Sequence, residues 1–584
     1  MKKEFLKRKI PAGIAFLFNI ISACYIIFFA FLQDGTPFQT VLGLLIPAAL
    51  LLNIYLVYIN CHRDINRALK KWGTTYLIIS IAAMILLPAA GFAASSVYEH
   101  NITIVIMLAA VYVPFLAVLL IGTAHSALTW QVTPAGTVNV SEAGKNDQAK
   151  PASAGKRKTL TVVLTVFLLL GFFPAYILLS RYPGLLQVAV SPCALFLAFV
   201  SPALAILVLK SYGSISRPFS LAVTTVGLIL MIIFMLPLFA TPSTLQDIET
   251  DFKTTFGDNW RERIDPETVS RLRTTRFSLP GYFLGYFPGN YEYRKNILYY
   301  EGSDGTGEGL KLYYDLFRPL PGAQNLPGEG STIIRIHGGA WVVGDKGASN
   351  MLQMNKHLAS LGYTVFDIQY GLTDSVDFPQ LAVLYNIVDR ATGILPNRSV
   401  NLSIGAPDHL KGSFTLDDMM NHLGIFTDYL VENADELGAS TESVFISGGS
   451  AGGHLSTALA LAMSSGEYED LFNPKIQVKG YIPYYPANRA TLFLKMIGGA
   501  DEWIDVENLI RPDSPPCLIF QGTNDGLVTM ETARYFKESY AKANNDCCVV
   551  IYMPYAAHAA DYLFSGYYSQ IFLYYMERFM DLHR

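Results

Sequence analysis

Three residues with the chemistry of nucleophilic catalysis each follow a run of strand-forming residues in the second half of the chain. Ser450 follows SVFISGG, Asp525 follows CLIFQGTN, and His558 follows VVIYMPYAA. A serine hydroxyl becomes an effective nucleophile when a histidine takes its proton and a carboxylate orients the histidine ring. The chain order Ser, Asp, His is the order expected on a sheet with helices between its strands. These residues predict an activated serine.

The serine lies in the pattern G-x-S-x-G, formed by residues 448–452, and the helical stretch LSTALALAM follows it. The glycines allow a turn sharp enough to expose the hydroxyl of Ser450 at the start of a helix. With average glycine and serine contents, a chain of this length gives roughly 0.2 such patterns by chance. The pattern alone could therefore be a plain turn, and its place between a strand and a helix favours a nucleophile.

A second glycine-rich loop, HGGAW at residues 337–341, follows the strand-like run TIIRI. Consecutive glycines leave backbone N–H groups free to point into a pocket, where they stabilise the negative oxygen formed during attack on an ester carbonyl. We expect Gly338 and Gly339 to supply such donors. The side chain of His337 is interpreted as structural, with a hydrogen bond to the backbone.

Other acidic residues and histidines are weaker candidates for the catalytic pair. Asp513 precedes its strand, whereas Asp525 follows it. His454 lies one turn beyond the serine, where we expect it to pack beneath the loop and not to act as the base. The remaining candidates lie in helical or insert-like regions without catalytic context: His357, His409 and His422.

From about residue 295 onward, short β-rich runs alternate with helical stretches. This alternation predicts a mostly parallel sheet with helices on both faces. In such a sheet the functional residues collect at the carboxyl ends of the strands. Four groups fall at such ends: the HGGAW loop, Ser450, Asp525 and His558.

Together these motifs make residues 295–584 resemble the α/β-hydrolase fold, and within it the hormone-sensitive-lipase-like carboxylesterases. The resemblance depends on HGGAW, GGSAGG, DGLV and the late histidine, with support from YDLFRP, Tyr370 and Phe378-Pro379. It implies a serine hydrolase that acts on carboxylic esters without a cofactor. By position, the resemblance assigns the following roles: Ser450 as nucleophile, His558 as base, Asp525 as its partner, and the N–H groups of Gly338, Gly339 and Ala451 as the oxyanion hole.

The chain departs from the family pattern at three places. Gly449 stands where the family usually has an acidic residue, and it makes the elbow resemble that of some peptidases of the same fold. Residues 393–415 resemble an insertion that lines or covers the pocket. The apolar N-terminal half is not part of the family pattern. These departures concern the substrate more than the chemistry.

The composition is too apolar for an average soluble protein. The 584 residues are 51% hydrophobic and 15% charged, and the mean hydropathy is +0.31. A net charge of −4 argues against a nucleic-acid partner. The six cysteines have neither the spacing of a disulfide framework nor that of a zinc site.

Nearly all of the apolar sequence lies in residues 1–241, which contain seven stretches long enough to cross a bilayer. The predicted spans are residues 11–32, 41–60, 76–98, 102–128, 160–180, 185–210 and 219–241. Lys and Arg are concentrated in the N-terminal segment and in the second, fourth and sixth gaps between these spans. The positive-inside rule then predicts a plasma-membrane protein with a cytoplasmic N-terminus and residues 242–584 outside the cytoplasm.

Two alternatives bear on this topology. A re-entrant hairpin around RYPG, residues 181–184, would reverse the parity of the later part of the chain. Ile21-Ser22-Ala23-Cys24 fits a lipoprotein cleavage box, but the apolar YIIFFAFL that follows it favours an uncleaved span.

The central parts of the spans contain no Asp, Glu, Lys or Arg. Ion and proton pathways usually require such groups, so we interpret the spans as an anchor or scaffold and not as a transporter. His125 is interpreted as an interfacial residue. Residues 242–294 are expected to link the two halves through an amphipathic helix around 245–275. The arginines of this linker belong to a solvated helix face or, less favoured, meet lipid headgroups.

The sequence thus predicts a multi-domain protein. An all-α transmembrane bundle of about seven helices (residues 1–241) is followed by a linker (242–294) and an α/β-hydrolase domain (295–584). The leading hypothesis is a membrane-anchored serine esterase or lipase, acting on an acetylated envelope polysaccharide or a lipid ester. The alternatives are an acyltransferase with a membrane-borne donor or acceptor, a peptidase, and a non-catalytic receptor.

Overall fold

The computed structural model describes residues 2–31, 42–61, 67–131, 154–212, 216–287, 289–303, 305–347, 350–374 and 406–584. Residues up to 239 form a helical bundle, called the bundle below. Residues 292–584 form a sheet with helices on both faces, called the C-terminal domain. The segment between them contacts both parts.

The described part of the chain has six helical spans that are long and apolar enough to cross a membrane. These spans are Arg8–Phe31, Arg67–Ser95, His100–Gln131, Arg157–Leu179, Ala194–Tyr212 and Arg217–Phe256. The second predicted span, residues 41–60, contains the helix Leu45–Ile59, whose 15 residues extend about 22 Å, compared with about 30 Å of hydrocarbon. The predicted count of about seven crossing helices is therefore not confirmed.

Several of these spans are interrupted or extended relative to the predicted boundaries. A π-helical turn, Leu108–Tyr112, lies within the third span, immediately before the helix that contains Pro114. The helical elements of the bundle are Lys2–Phe31, Leu45–Ile59, Arg67–Ser95, His100–Met107, Val113–Gln131, Ala154–Leu170, Phe172–Leu179, Gln187–Val190, Ala194–Tyr212 and Arg217–Phe239.

Consecutive spans of the bundle run in opposite directions, as contacts at their ends show. At one end, Lys210 Nζ donates to the Lys70 carbonyl oxygen at 3.2 Å, and Lys9 Nζ lies 5.3 Å from the centre of the Trp130 ring. At the other end, residues such as Tyr98 contact the C-terminal domain. The basic ends of the helices therefore lie opposite the C-terminal domain.

His125 is fully buried within the bundle, which corrects the interpretation of this residue as interfacial. Its Nε2 faces Gly73, where a Cβ would approach it to 3.2 Å. The helix Val113–Gln131 packs against its neighbours at this point. The ring of His125 is therefore buried although the residue lies near the end of its span.

The segment between the bundle and the C-terminal domain packs against the C-terminal domain. The helix Thr241–Phe256 directly continues the last bundle helix. Its Asp251 accepts a 3.2 Å hydrogen bond from Val550 N of the edge strand. Arg276 donates to Glu249 Oε1 at 2.9 Å, so this arginine belongs to an intramolecular ion pair. The short helices Pro266–Arg271 and Leu279–Leu284 complete the segment.

The C-terminal domain is built on a mostly parallel sheet of eight strands, in agreement with the sequence prediction. The strands are β1 Glu292–Glu301, β2 Lys311–Arg318, β3 Thr332–Ile336, β4 Thr364–Ile368, β5 Leu372–Thr373, β6 Lys411–Gly412, β7 Val444–Gly449, β8 Val478–Tyr484, β9 Cys517–Gly522 and β10 Cys548–Met553. The order in the main sheet is β1-β2-β4-β3-β7-β8-β9-β10, and β5 pairs with β6 separately. Strands from β4 to β10 in this order pair in parallel, while β2 is antiparallel to both of its neighbours.

Helices cover both faces of this sheet. They are Asn350–Ser360, Leu416–Leu437, Ala451–Ser465, Thr491–Ile497, Asp501–Ile504, Met530–Lys542 and Tyr567–His583. Every residue of β3, β4, β7 and β9 is buried, as expected for parallel strands covered on both sides. The apolar core of one face also includes bundle residues such as Phe115 and Phe199, so the bundle and the C-terminal domain share one continuous core.

Candidate active site

Ser450 occupies a strained turn between β7 and the helix Ala451–Ser465. Its backbone has φ 57° and ψ −118°, a conformation that costs energy for a residue with a side chain. Glycine is required on both sides because the turn passes close to β3. A Cβ at Gly452 would lie 2.2 Å from the Ile336 carbonyl oxygen, and one at Gly448 would lie 2.3 Å from the Gly452 carbonyl oxygen. The G-x-S-x-G spacing therefore follows from close packing of the turn.

The HGGAW loop borders Ser450 directly. A Cβ at Gly338 would lie 2.6 Å from the Gly449 carbonyl oxygen and 3.4 Å from Ser450 Cβ. Gly339 has φ +124°, and a Cβ there would meet the Val343 carbonyl oxygen at 1.8 Å. The carbonyl of Gly339 accepts from the N–H groups of Val342 and Val343 at 3.1 and 3.0 Å. These bonds hold the loop in a tight turn beside the serine.

The three N–H groups expected to form the oxyanion hole are free of backbone partners. Within the described ranges, the N–H groups of Gly338, Gly339 and Ala451 donate to no other residue. Ala451 opens the helix that follows the serine, where unpaired N–H groups and the helix dipole favour negative charge. The arrangement is suited to a developing oxyanion next to Ser450.

Asp525 and His558 lie together at the carboxyl ends of the neighbouring strands β9 and β10. His558 Nδ1 is 2.8 Å from Asp525 Oδ2. Asp525 is fully buried, and its Oδ1 accepts from Leu527 N and Val528 N at 2.8 Å each. The carboxylate is therefore fixed by its own loop, and its second oxygen orients the imidazole.

The end of β8 connects the serine to the histidine. Ser450 N donates to the Tyr484 carbonyl oxygen at 2.9 Å, and the ring of Tyr485 lies 4.5 Å from the ring of His558. Among the described residues, Ser450 Oγ and His558 Nε2 take part in no hydrogen bond. Catalytic hydrogen bonds are often long without substrate and tighten when substrate is bound.

The other histidines near the site have structural partners. His337 Nδ1 is 2.9 Å from the Gly338 carbonyl oxygen, its ring stacks on Tyr370 at 4.5 Å, and burial lowers its pKa. His454 Nε2 is 2.7 Å from the Trp503 carbonyl oxygen, and burial lowers the pKa of His454 to about 4. Its ring also packs edge-on against Trp341 of the HGGAW loop. These contacts agree with the structural interpretation of both residues.

The remaining weaker candidates lie away from the pair. Asp513 is exposed, at the start of the approach to β9. His357 Nε2 is 2.8 Å from Glu577 Oε1 on the C-terminal helix. His422 Nδ1 accepts from Gly371 N at 3.3 Å, and the ring of His409 packs against Tyr313.

The predicted insertion is described only in part. Phe378-Pro379 and residues 393–405 lie outside the described residues. Residues 406–415 lead into the helix Leu416–Leu437 and contain β6, which pairs with β5. Thr373 N of β5 donates to the Trp341 carbonyl oxygen at 2.9 Å, so this part of the chain is tied to the loop beside the nucleophile.

A segment of the bundle forms one side of the site, which sequence reasoning missed. Gln187 is buried and contacts the loops of both Asp525 and His558. The signal available in the sequence is weak: a glutamine next to RYPG at the start of an apolar stretch. Residue 187 falls within the predicted span 185–210, next to the RYPG segment for which a re-entrant hairpin is the alternative.

No set of three or more His, Cys, Asp or Glu residues suited to hold a metal ion occurs in the described ranges. The six cysteines are unpaired.

Two family models match parts of the C-terminal domain. A model described as alpha/beta hydrolase fold matches residues 413–498, and a model named BD-FAE matches residues 315–384. Among curated proteins, the chain is 25% identical over 264 residues to a protein of Mycobacterium tuberculosis named Probable carboxylic ester hydrolase LipM. That match covers 41% of this chain and 52% of LipM, so the chain spans about half the length of this relative.

Solved esterase structures also align with the chain. The apo form of Thermogutta terrifontis esterase 2 is 22% identical, with a TM-score of 0.33, and the alignment covers 49% of this chain and 90% of that one. A phosphonate-inhibited esterase B from Lactobacillus rhamnosis is 17% identical, with a TM-score of 0.33, over 55% of this chain and 89% of that one. At such identities and TM-scores the alignments carry no argument about substrate. The match to the model described as alpha/beta hydrolase fold and the strand order give the C-terminal domain an α/β-hydrolase fold, and an apolar helical bundle precedes it.

Proposed function

We propose that this protein is a membrane-bound serine esterase in which Ser450 is the nucleophile, His558 the base and Asp525 its partner. The observation that carries the proposal is the buried 2.8 Å contact between His558 Nδ1 and Asp525 Oδ2. A histidine oriented by a buried carboxylate, on the same sheet edge as a serine on a strained turn, is the arrangement that activates a hydroxyl.

The reaction follows from these positions. His558 Nε2 takes the proton of Ser450 Oγ as the Oγ–carbon bond forms, and the carbonyl oxygen becomes negative. The N–H groups of Gly338, Gly339 and Ala451 stabilise that oxygen. His558 then gives its proton to the departing alcohol as the ester C–O bond breaks. Water, deprotonated by His558, attacks the acyl-enzyme and releases the acid.

The proposed substrate is a lipid ester or an acetylated envelope polysaccharide outside the cytoplasm. The orientation is supported by the position of the basic helix ends, which lie opposite the C-terminal domain. The positive-inside rule assigns such basic ends to the cytoplasm. The lipid option is supported by the contact between the bundle and the loops of Asp525 and His558, which brings the site close to the helix ends.

Acyl transfer is the second candidate, because it uses the same acyl-enzyme. The specific observation in its favour is that the His558 side chain is only 9% exposed and lies next to the bundle segment that contains Gln187. Restricted access of water to the base favours transfer to an alcohol that is bound beside it.

The test is hydrolysis of p-nitrophenyl esters of graded chain length by the full-length protein in detergent. Ser450→Ala should lose activity by at least about 10³-fold. Ser464→Ala is the matched control, since Ser464 lies on the same helix and bonds only the Ala460 carbonyl oxygen. Retained hydrolysis by Ser450→Ala would contradict the proposal. Adding glycerol or a sugar as acceptor, and measuring ester product against free acid, separates transfer from hydrolysis.

A further inference from the structure

One short segment of the bundle contacts both loops that carry the catalytic acid and base. This segment, called the bundle hairpin, comprises residues 178–191 and joins the fourth and fifth long apolar spans. It makes hydrogen bonds with the residues on both sides of Asp525 and with the two residues at 557 and 558. The bundle hairpin therefore touches the catalytic loops through four separate contacts.

The central contact is made by Gln187, whose side chain is fully buried. Gln187 Oε1 accepts from Gly526 N at 3.2 Å and from His558 N at 3.4 Å. Because backbone N–H groups can only donate, the two bonds require the amide oxygen to face both loops. A single side-chain oxygen thus joins the residue after the acid to the base itself.

The other two hydrogen bonds and one close approach of the backbone hold the bundle hairpin in this position. Asn524 Nδ2 donates to the Leu178 carbonyl oxygen at 2.8 Å. Ser191 Oγ accepts from Ala557 N at 3.3 Å. Gly526 lies so close to the hairpin that a Cβ there would be 2.4 Å from the Tyr182 carbonyl oxygen. The two backbones are therefore so close that residue 526, on the loop of Asp525, must be glycine.

We propose that Gln187 is a positioning residue for catalysis, and that the bundle hairpin completes the active site. This inference rests on the proposed esterase function. By accepting from both loops, Gln187 fixes the backbone of His558 relative to that of Asp525. The imidazole then keeps the ring orientation that its contact with Asp525 sets. The bundle contributes to the chemistry in this way and is more than an anchor.

The polar surroundings of His558 make the contribution of Gln187 measurable. The groups that face His558 are Asp525 from the loop after β9 and Tyr485 from the end of β8. Asp561 lies on the same loop as His558 and hydrogen-bonds Tyr485. The bundle hairpin contributes no charge here, since Gln187 is neutral. A carboxylate in place of Gln187 would therefore add a new negative charge beside the base.

The test uses Gln187→Met and Gln187→Glu in the full-length protein in detergent. Met has a similar size but accepts hydrogen bonds poorly, so kcat should fall by about 10- to 100-fold, the range expected when a catalytic group is misplaced, with KM little changed. Glu keeps an acceptor for both N–H groups, so kcat should be largely restored. Its charge should shift the acidic limb of the pH–rate profile to higher pH, because it stabilises the protonated imidazole.

Arg181→Gln is the matched control. The Arg181 side chain also joins the bundle hairpin to the C-terminal domain, through an exposed ion pair with Glu531 at 3.0 Å. The backbone carbonyl of Arg181, which packs beside Gly526, is unchanged in this variant. We expect its kcat and pH profile to match those of the wild type.

The outcomes separate this inference from the proposed function. An active wild type with an unchanged Gln187→Met variant would overturn the role of Gln187 and leave the esterase intact. A wild type without Ser450-dependent hydrolysis would overturn both. If Gln187→Met does not fold, Gln187→Glu is the deciding variant. A near-normal kcat with a shifted acidic limb supports the inference. A kcat that is lowered by about 10- to 100-fold at every pH overturns it.

Discussion

Tyr98 Oη, in a loop of the bundle, donates a 2.6 Å hydrogen bond to Asp315 Oδ2 on β2 of the hydrolase domain. Both side chains are buried. The other carboxylate oxygen of Asp315 lies 3.0 Å from Lys346 Nζ, immediately after the HGGAW loop. Tyr98 of the bundle and Lys346 of the C-terminal domain thus both bind the buried carboxylate of Asp315. This carboxylate ties the two domains together.

Replacing Tyr98 by Phe should weaken this junction. The variant leaves one buried oxygen of Asp315 without its hydroxyl donor, which costs about 1–3 kcal/mol. We expect a lower apparent Tm in detergent, as measured by intrinsic fluorescence. Tyr535→Phe is the control, since Tyr535 is partly exposed and keeps its ring contact with Arg489 as phenylalanine. Equal melting temperatures for wild type and Tyr98→Phe would contradict the role of this bond.

Asp525→Asn should lower kcat by about 10⁴-fold with little change in fold. The two N–H groups of Leu527 and Val528 bond Oδ1, so they will select the amide oxygen for that position. The amide nitrogen must then face His558 Nδ1, and it will stabilise the tautomer that cannot accept the serine proton. Steady-state kinetics of Asp525→Asn and of the exposed control Asp513→Asn check this prediction. A similar loss of kcat in both variants would contradict the assignment of Asp525 as the partner of His558.

Gly338→Ala should inactivate the enzyme by closing the space in which the oxyanion forms. The new methyl group would lie 2.6 Å from the Gly449 carbonyl oxygen and 3.4 Å from Ser450 Cβ, so the loop must move away from the serine. Loss of one oxyanion donor costs about 10² to 10³ in kcat. Gly155→Ala is the control for a glycine-to-alanine change, since Gly155 is exposed and its added Cβ would have no atom within 4 Å. A Gly338→Ala variant with normal kcat would place the oxyanion hole elsewhere.

Lys356 makes the free energy of unfolding depend on pH between about 7 and 10. Burial lowers the pKa of Lys356 to about 7, whereas lysine in the unfolded chain titrates near 10.4. Between these values the unfolded chain binds more protons than the folded protein, so this lysine destabilises the fold fully below about pH 7 and progressively less toward about pH 10. We expect Lys356→Met to have a higher Tm than the wild type at pH 7.

The difference in Tm between Lys356→Met and the wild type should shrink as the pH rises from 7 to 10. Taking the difference between the two proteins removes the contribution of all other titrating groups. Lys475→Met, at an exposed position, should show no such pH-dependent gap. A constant gap for Lys356→Met across this range would contradict the lowered pKa.

The hydrolase domain was predictable because its signals are local. Each catalytic motif follows a short apolar run, and a parallel sheet brings the carboxyl ends of β3, β7, β9 and β10 to one edge. Gly339 of the HGGAW loop has a local cause, namely a turn with positive φ. The elbow glycines pack closely against β3, which pairs with β7 in the parallel sheet. The sequence pattern therefore contained both the sheet and the candidate residues.

The contacts between the two domains were not predictable, because they join residues far apart in the chain. Gln187 and His558 are separated by 371 positions, and Tyr98 and Asp315 by 217. Periodicity and composition describe which face of a helix is apolar and do not specify which loop it meets. The same limitation explains the burial of His125 and the packing of the helix Thr241–Phe256 on β10, since each depends on a partner that no local pattern identifies.

The central claim is that Ser450 is an activated nucleophile. The most direct test treats membranes that contain the full-length protein with a fluorescent fluorophosphonate and compares the wild type with Ser450→Ala. We expect that the wild type is labelled, that Ser450→Ala is not, and that the control Ser464→Ala is labelled like the wild type. Equal labelling of the wild type and Ser450→Ala, or no labelling of an intact wild type, would contradict it.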